Sequence, residues 1–153
     1  MIKVITLDLD KVKVLQNLND EVFVDNHKYD SDLKMDWAQS ETGKKYFTDV
    51  LNNPEAICLI AEEDDKLVGY LVATPKDINY RLSKYIEIEN MGVSPNFRSK
   101  GIGAQLVNKC LELAKKNGYQ KVYVNAYFEN TKAIAFYERC GLKKIDISLE
   151  KDI

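Results

Sequence analysis

Nine residues, RSKGIGAQL at positions 98–106, have the side-chain types with which proteins bind anions. Arg98 and Lys100 supply mobile positive charge, and Gly101 and Gly103 precede apolar residues at helical spacing. A helix N-terminus presents unpaired backbone N–H groups and about half a positive charge. Because glycine lacks a Cβ, an anion can approach such backbone closely. The stretch therefore predicts a phosphate-binding turn at the start of a helix.

Two common phosphate-binding motifs do not fit this stretch. A P-loop requires Gly-x-x-x-x-Gly-Lys-Ser/Thr, a string that the chain lacks. A dinucleotide-binding turn requires a third glycine, at the position that Leu106 occupies here. From these residues alone, a helix N-terminus with two spare glycines and no ligand remains an equal alternative.

The segment before the turn, YIEIENMGV at 85–93, has the composition of a strand with one irregularity. Its apolar side chains change parity midway and are Ile86, Ile88, Met91 and Val93. One inserted residue near Glu89 or Asn90 would bring all four to one face, which predicts a β-bulge. A strand buried on both faces after Ile88 is the alternative.

The elements that must position these residues alternate between helix and strand. We expect a strand at 2–6, helices at 10–24 and 36–51, and a hairpin turning at Asp64-Asp65. After the helix that ends at Asn117-Gly118, KVYVNAYF predicts a strand and NTKAIAFYERCG predicts a helix. LKKIDISLEKDI predicts one or two closing strands. The absence of repeats and linkers favours a single domain over 1–153.

Composition narrows the possible functions. The chain has 153 residues with 22 basic and 24 acidic side chains, and the resulting charge of −2 argues against nucleic acid as a partner. Its three cysteines lack metal-ligand spacing, which indicates core residues in a reducing compartment and no metal. Without a membrane span or a signal peptide, we expect a cytoplasmic protein.

Two motifs together resemble those of the GNAT family of N-acetyltransferases. Arg98-Ser99-Lys100-Gly101-Ile102-Gly103 matches the family's Arg/Gln-x-x-Gly-x-Gly/Ala turn. NTKAIAFYERCGL matches the second motif through Asn130, Ala133, Tyr137 and Gly141, with Leu142 where phenylalanine is usual. The resemblance implies a mixed α/β fold: a twisted, mostly antiparallel sheet of six to seven strands, flanked by about four helices and splayed at a bulged strand.

The resemblance also implies that acetyl-CoA is the co-substrate. Backbone atoms of Met91, Gly92 and Val93 would contact its pantetheine arm and acetyl carbonyl, and Asn130 and Ala133 would lie beside the arm. The phosphates would be held by the turn, whose residues are Arg98, Ser99, Lys100, Gly101, Ile102, Gly103 and Ala104. This role for the strand favours the bulge over the alternative.

For catalysis, the resemblance assigns a proton-donating role to Tyr137, for which a core aromatic residue is the alternative. Glu87 and Glu89 lie on one side of the bulged strand and are candidate bases, or binders of the acceptor ammonium. Glu87 stands at the spacing from the motif glycines that the family's histone-type enzymes use, so the resemblance favours Glu87 as the base. Solvent-exposed strand glutamates without a role are the alternative. His27 is a weaker acceptor-site candidate. The acidic and aromatic residues near it that could bind a cation are Tyr29, Asp30, Asp32, Asp36 and Trp37. Helix capping by Asp36 and surface packing of Trp37 are an equal alternative.

These observations predict an N-acetyltransferase that moves the acetyl group of acetyl-CoA directly to a primary amine of a small molecule or a protein. An excess of acidic residues between Asp20 and Asp49 favours a cationic acceptor. A catalytically silent acyl-CoA-binding sensor is the alternative from another class. A homodimer is compatible with the resemblance.

Overall fold

A computed structural model describes residues 3–153 as one sheet flanked by helices. Short apolar runs, buried on both faces in β2 and β3, form the central strands, and apolar residues at helical spacing form the helices. The strands are β1 (Lys3–Thr6), β2 (Ile57–Glu63), β3 (Lys66–Lys76), β4 (Tyr85–Val93) and β5 (Lys121–Val124). The helices are α1 (Val12–Asn26), α2 (Glu41–Asn52), α3 (Ile102–Lys116) and α4 (Thr131–Arg139).

The sheet is mostly antiparallel, as expected. Its strands follow one another in chain order, and β1 to β4 pair antiparallel. The β2–β3 hairpin turns at Asp64 and Asp65, whose φ angles of 50° and 60° suit a tight two-residue turn. Only β4 and β5 run parallel, because α3 carries the chain back across the sheet between them.

The β-bulge is confirmed, and the extra residue is Glu89. Val72 of β3 pairs with Asn90, whereas the next residue, Ala73, pairs with Ile88, so Glu89 has no opposite residue. On its other side, β4 pairs with β5 only as far as Ile88 and Val124. The second half of β4 therefore has no hydrogen-bonded neighbour on the β5 side within residues 3–153.

Two apolar cores lie on opposite faces of the sheet. Leu71, Ala73 and Ile86 face α3, where they pack with buried residues such as Leu106. Tyr70 and Val72, which alternate with them along β3, face α1 and α2. This alternation fixes which face each side chain of β4 occupies, and so fixes the surroundings of the two candidate glutamates.

The expected count of six to seven strands is wrong for the part of the chain described, which forms five. Residues 142–153 form no regular secondary structure, although their apolar side chains alternate as in a strand. Ile145, Ile147 and Leu149 are exposed by 54%, 70% and 93%. Alternation favours a strand only where a neighbouring edge pairs with it and a core covers its apolar side; in this structure the segment pairs with no strand of residues 3–141, and its apolar side stays exposed.

The expected helix at 36–51 is interrupted near its start. Residues Trp37–Gln39 form a 3-10 turn, and Ser40 is extended with φ −73° and ψ 166°. The Ser40 side chain accepts a hydrogen bond from the Gly43 backbone N–H at 3.2 Å. Serine favours such N-cap geometry over the helix interior, and for this reason α2 begins at Glu41.

Membrane-spanning helices and metal-binding clusters are both absent from the part of the chain that the structure describes. In residues 3–153 no helix is both long enough and apolar enough to cross a bilayer. Across the same residues, His, Cys, Asp and Glu side chains form no group of three that could hold a metal ion.

Candidate acetyl-CoA and acceptor site

The N-terminus of α3 forms an open backbone cradle. Gly101 precedes the helix with φ 78°, a left-handed conformation that suits glycine, and Ser99 also has a positive φ, of 63°. No side chain caps this helix end, so the N–H groups of its first turn remain available. A Cβ added to Gly101 would have no neighbouring atom within 4 Å. The cradle is therefore open to a ligand, and its N–H groups suit a phosphate.

Gly103 lies against helix α4. A Cβ at this position would lie 3.1 Å from the Phe136 ring of α4 and 3.9 Å from the Met91 methyl group. The Phe136 ring would have to move by a few tenths of an ångström to admit such a Cβ, so glycine lets α3 and α4 pack closely here. Of the two glycines in the turn, Gly101 is the one that borders open space.

The two basic side chains of the turn already have partners within the protein. The Arg98 guanidinium donates to the Val93 carbonyl at 2.8 Å and pairs with Asp25 of α1. Lys100 Nζ lies 3.3 Å from Glu63. All of these pairs are at least partly exposed, so they are weak and can exchange partners. A phosphate in the cradle would compete with the two carboxylates for the basic side chains.

The second half of β4 leads from the bulge to this cradle. Met91 and Val93 pack against the core beneath α3, whereas Gly92 points to the opposite face. A Cβ on Gly92 would lie 2.5 Å from the Val22 side chain of α1 and 3.3 Å from the Tyr70 ring. Glycine at this position therefore lets α1 lie directly on β4.

Replacing Gly92 by alanine is expected to lower the free energy of unfolding by about 1–3 kcal/mol, the usual cost of overpacking. Urea denaturation would measure the loss. Val22→Ala removes the clashing methyl groups, so we expect the double variant to recover about 1 kcal/mol relative to additivity. Additive losses in the two single variants would contradict this contact.

Three candidate residues belong to helix α4 and its N-cap. The Asn130 side chain accepts a hydrogen bond from the Ala133 N–H at 3.1 Å, so these two residues form the N-cap of α4. Tyr137 packs against the core beneath α3, and burial raises its pKa to about 12. Tyr137 also contributes to raising the pKa of Tyr70 on β3, although desolvation is the main cause.

The two candidate glutamates have different surroundings. Glu87 lies where β4 still pairs with β5, and its carboxylate accepts a hydrogen bond from Lys76 at 2.9 Å. Glu89, at the bulge, receives hydrogen bonds from two hydroxyl groups: those of Tyr46 and, at 2.7 Å, of Thr74. Glu87 is thus neutralised by a cation, whereas Glu89 is oriented by neutral donors at the point where β4 and β5 separate.

A buried polar network holds the bulge and was not predicted from the sequence. Asn90 donates to the Tyr46 hydroxyl at 3.0 Å and accepts from Asn19 at 3.1 Å. Asn19 is fully buried and also donates to the Tyr70 hydroxyl at 2.7 Å. Desolvation raises the pKa of Tyr46, and its hydrogen bond to Glu89 raises it further. The one signal in the sequence is an asparagine on the apolar side of α1.

Glu89 also borders a cavity of about 420 Å³ on the α2 side of the sheet. Three of its lining residues, Asp49, Glu55 and Glu89, are acidic. The other lining residues are Tyr46, Val50, Asn53, Thr74 and Pro75. The walls therefore carry negative charge without any basic side chain.

The polar segment after α1 contributes less to a cation site than the sequence suggested. Trp37 is stacked on Phe23 at 5.6 Å and tilted against Tyr46 at 5.5 Å between ring centroids, which makes it a packing residue. Tyr29 stacks on Tyr127 at 6.1 Å, and the Tyr127 hydroxyl donates to Asp30 at 2.8 Å. His27 caps the C-terminus of α1 through its backbone.

Comparison with known sequences supports the assignment of family. The profile described as "Acetyltransferase (GNAT) family" matches residues 16–142. The uncharacterised N-acetyltransferase MJ1207 of Methanocaldococcus jannaschii is 33% identical over 115 residues, or 74% of this chain and 49% of that protein. YhfO of Bacillus subtilis, also an uncharacterised N-acetyltransferase, is 28% identical over 61% of this chain and 63% of its own. The chain thus spans less than two thirds of these relatives.

Solved structures share the fold at low sequence identity. BH1408 of Bacillus halodurans aligns with a TM-score of 0.86 at 16% identity, over 99% of both chains. The aminoglycoside N-acetyltransferase AAC(6')-Iy, solved with CoA, aligns with a TM-score of 0.77 at 15% identity, over 100% of this chain and 95% of that one. An aminoglycoside acetyltransferase from an uncultured soil sample, solved with sisomicin, gives 0.75 at 18%, over 99% and 96%.

The matched residues include both motifs, the bulged strand and α3. The fold agrees in its mixed sheet and four helices. The chain belongs to the GNAT family of acetyltransferases.

Proposed function

We propose that residues 1–153 form one N-acetyltransferase domain that transfers the acetyl group of acetyl-CoA directly to a primary amine. The observation that carries the proposal is the course of β4. From Glu89 to Val93 this strand has, within residues 3–153, no partner on the β5 side, and the chain then turns into the open cradle at Gly101. A short stretch of chain thereby connects a carboxylate with a helix N-terminus that suits an anion.

The residues present suit acetyl-CoA. The cradle of α3 offers backbone N–H groups, and Arg98 and Lys100 offer charge that can move from Asp25 and Glu63 to a phosphate. The open edge of β4 can pair with an extended chain through backbone hydrogen bonds, as an added strand does. Acetyl-CoA, when bound, supplies the activated acetyl group as a thioester.

Glu89 is the proposed general base. A primary alkylamine has a pKa of about 10.4 and must lose a proton before it can attack a carbonyl. Tyr46 and Thr74 orient the Glu89 carboxylate, which can take that proton directly or through water. Glu87 is less suited because Lys76 occupies its carboxylate. A backbone N–H of β4 would polarise the carbonyl, and the Tyr137 hydroxyl would donate a proton to the departing sulfur.

A small cationic amine is the proposed acceptor. The acidic cavity beside Glu89 favours an amine with more than one positive charge. Two structures with the same fold belong to aminoglycoside acetyltransferases, whose acceptors are of this chemical kind. The match to the family profile does not identify an acceptor, so the main support for a cationic amine is the acidic cavity.

The test is release of free CoA thiol from acetyl-CoA in the presence of a panel of amines. The panel contains polyamines, aminoglycosides, amino acids and lysine peptides. We expect turnover with at least one polycationic small molecule and little with the peptides. Tight binding of acetyl-CoA without turnover on any amine would instead support the sensor function.

Gly101→Ala is expected to weaken acetyl-CoA binding by about tenfold, equivalent to 1.4 kcal/mol. The new methyl group would enter the open cradle, and the positive φ would be strained. Gly118→Ala is the matched control, because Gly118 follows α3 with φ 83° and also has no neighbour within 4 Å. Calorimetric titration should show weaker binding in Gly101→Ala alone; equal affinities would refute the cradle.

A further inference from the structure

The outer edge of β5 is unpaired. Strand β5 pairs with β4 on one side, and on its other side residues 3–153 offer no strand. An edge strand presents N–H and C=O groups that readily accept another strand. Val122 and Val124 of β5 face the core beneath α3 and are only half-buried. The apolar core beneath α3 is therefore partly exposed along the outer edge of β5.

Residues 143–153 have a strand pattern without a sheet. Every second side chain from Ile145 to Leu149 is apolar and exposed, and Ile153 continues the same parity at full exposure. The side chains of opposite parity include three acids: Asp146, Glu150 and Asp152. One side of this segment is thus suited to a core and the other to a charged surface.

The segment passes near its own β5 without joining it. Asp146 lines, together with Tyr123 of β5 and Arg81, an open cavity of about 410 Å³. No backbone hydrogen bond of residues 143–153 to β5 is formed in the described chain. In this position the segment leaves its apolar side in solvent, although a free edge lies close by.

Exposed apolar side chains are concentrated at this end of the sheet. Ten large hydrophobic residues are exposed in the described chain, and seven of them lie in this segment or in the loops next to β5. Those in the loops are Tyr80, Leu82 and Phe128. Such a concentration on one side of a protein marks an interaction surface.

We propose that residues 143–153 add a strand to the β5 edge of a second copy of this chain, and that the second copy reciprocates. With Ile145, Ile147 and Leu149 on the same side of the sheet as Val122 and Val124, the acidic side chains fall on the side of Tyr123. Lys76 lies over the Tyr123 ring at 4.5 Å, and Arg81 borders the same cavity. The acidic side of the segment therefore meets basic groups.

A second copy of the chain is a suitable partner because every copy carries both the unpaired β5 edge and residues 143–153. A reciprocal exchange closes after two chains and leaves no free β5 edge, which is the usual solution in symmetric dimers. The exchange would also cover α4, which has no fully buried side chain in the isolated chain. Because Tyr137 lies on α4, pairing between two copies would stabilise one side of the proposed acetyl-CoA site. The pairing itself does not require acetyltransferase activity.

Size-exclusion chromatography with light scattering over a wide concentration range tests the proposal. We expect the unaltered chain to be a dimer, and Ile147→Asp to be a monomer with an unchanged circular dichroism spectrum. Ser148→Pro, which removes a strand N–H without adding charge, should also be monomeric. Val24→Asp is the matched control: Val24 is 67% exposed on α1, far from this segment in the chain, and this variant should remain a dimer.

Hydrogen exchange of the β5 amides identifies the pairing. In the dimer we expect slow exchange at every amide of 121–124, and in both monomeric variants fast exchange at those amides of β5 that point away from β4. An unaltered chain that is monomeric and has protected outer β5 amides would show that the segment pairs within one copy, and would overturn the proposal. An unaltered chain that is monomeric with these amides unprotected, or a dimer that survives both substitutions, would overturn it equally.

Discussion

Glu89→Gln is expected to lower kcat for amine acetylation by about 10²-fold or more, the usual contribution of a general base. The glutamine side chain is nearly isosteric: its amide oxygen can accept a hydrogen bond from one of the hydroxyl groups of Tyr46 and Thr74, and its NH2 group can donate to the other. The bulge should therefore stay intact, and only the capacity to take a proton is lost. The KM for acetyl-CoA should change by less than about twofold, because Glu89 lies away from the cradle.

Glu87→Gln is the matched control for this prediction. Both glutamates lie on β4 two residues apart, and both variants lose one negative charge. Glu87 is paired with Lys76, so its loss frees a lysine at the surface and should change kcat by less than about threefold. Steady-state kinetics with one good acceptor would measure both. A larger loss in Glu87→Gln than in Glu89→Gln would reverse the assignment.

The parts of the fold that could be predicted are those specified by neighbouring residues. The parity change between Ile88 and Met91 is a local property of one strand, and it located the bulge to within one residue. The glycine at the start of α3 is likewise local, because its positive φ and the helix that follows are specified within a few positions. Both features are confirmed without reference to distant parts of the chain.

The parts that could not be predicted depend on contacts between distant residues. The spacing from the motif glycines favoured Glu87, whereas the contacts that distinguish it from Glu89 come from Tyr46, Thr74 and Lys76. The packing of Gly103 against the Phe136 ring was likewise not predicted. The pattern of residues 142–153 predicted closing strands, which the described residues do not form, because the pattern contains no information on which edge would accept a strand.

Trp37 illustrates the same limit for the acceptor site. A tryptophan among acidic residues suggested cation binding, whereas its ring packs on Phe23, Tyr46 and Phe47. Such packing requires α1 and α2 to meet, which composition does not reveal. The acidic excess between Asp20 and Asp49 nonetheless includes Asp49, which lines the cavity beside Glu89.

Tyr137→Phe is expected to lower kcat by about tenfold to a hundredfold, because the departing thiolate would lose its proton donor. Burial disfavours the charged phenolate and raises the pKa of Tyr137 to about 12. The hydroxyl group therefore keeps its proton throughout the range in which the enzyme can be assayed. The ratio of kcat between the unaltered chain and the variant should be constant from about pH 7 to pH 10.

This constancy distinguishes a buried proton donor from a tyrosine that titrates. With an unshifted pKa of about 10, the advantage of the hydroxyl would fall toward the upper end of that range. Tyr119→Phe is the matched control, since Tyr119 is 8% exposed in the same core and its pKa is also raised by burial, but it lies beyond the other end of α3. It should retain full kcat. Equal losses of kcat in Tyr137→Phe and Tyr119→Phe would attribute the effect to packing. A ratio of kcat between the unaltered chain and Tyr137→Phe that declines with pH would show that the raised pKa of Tyr137 does not govern the step.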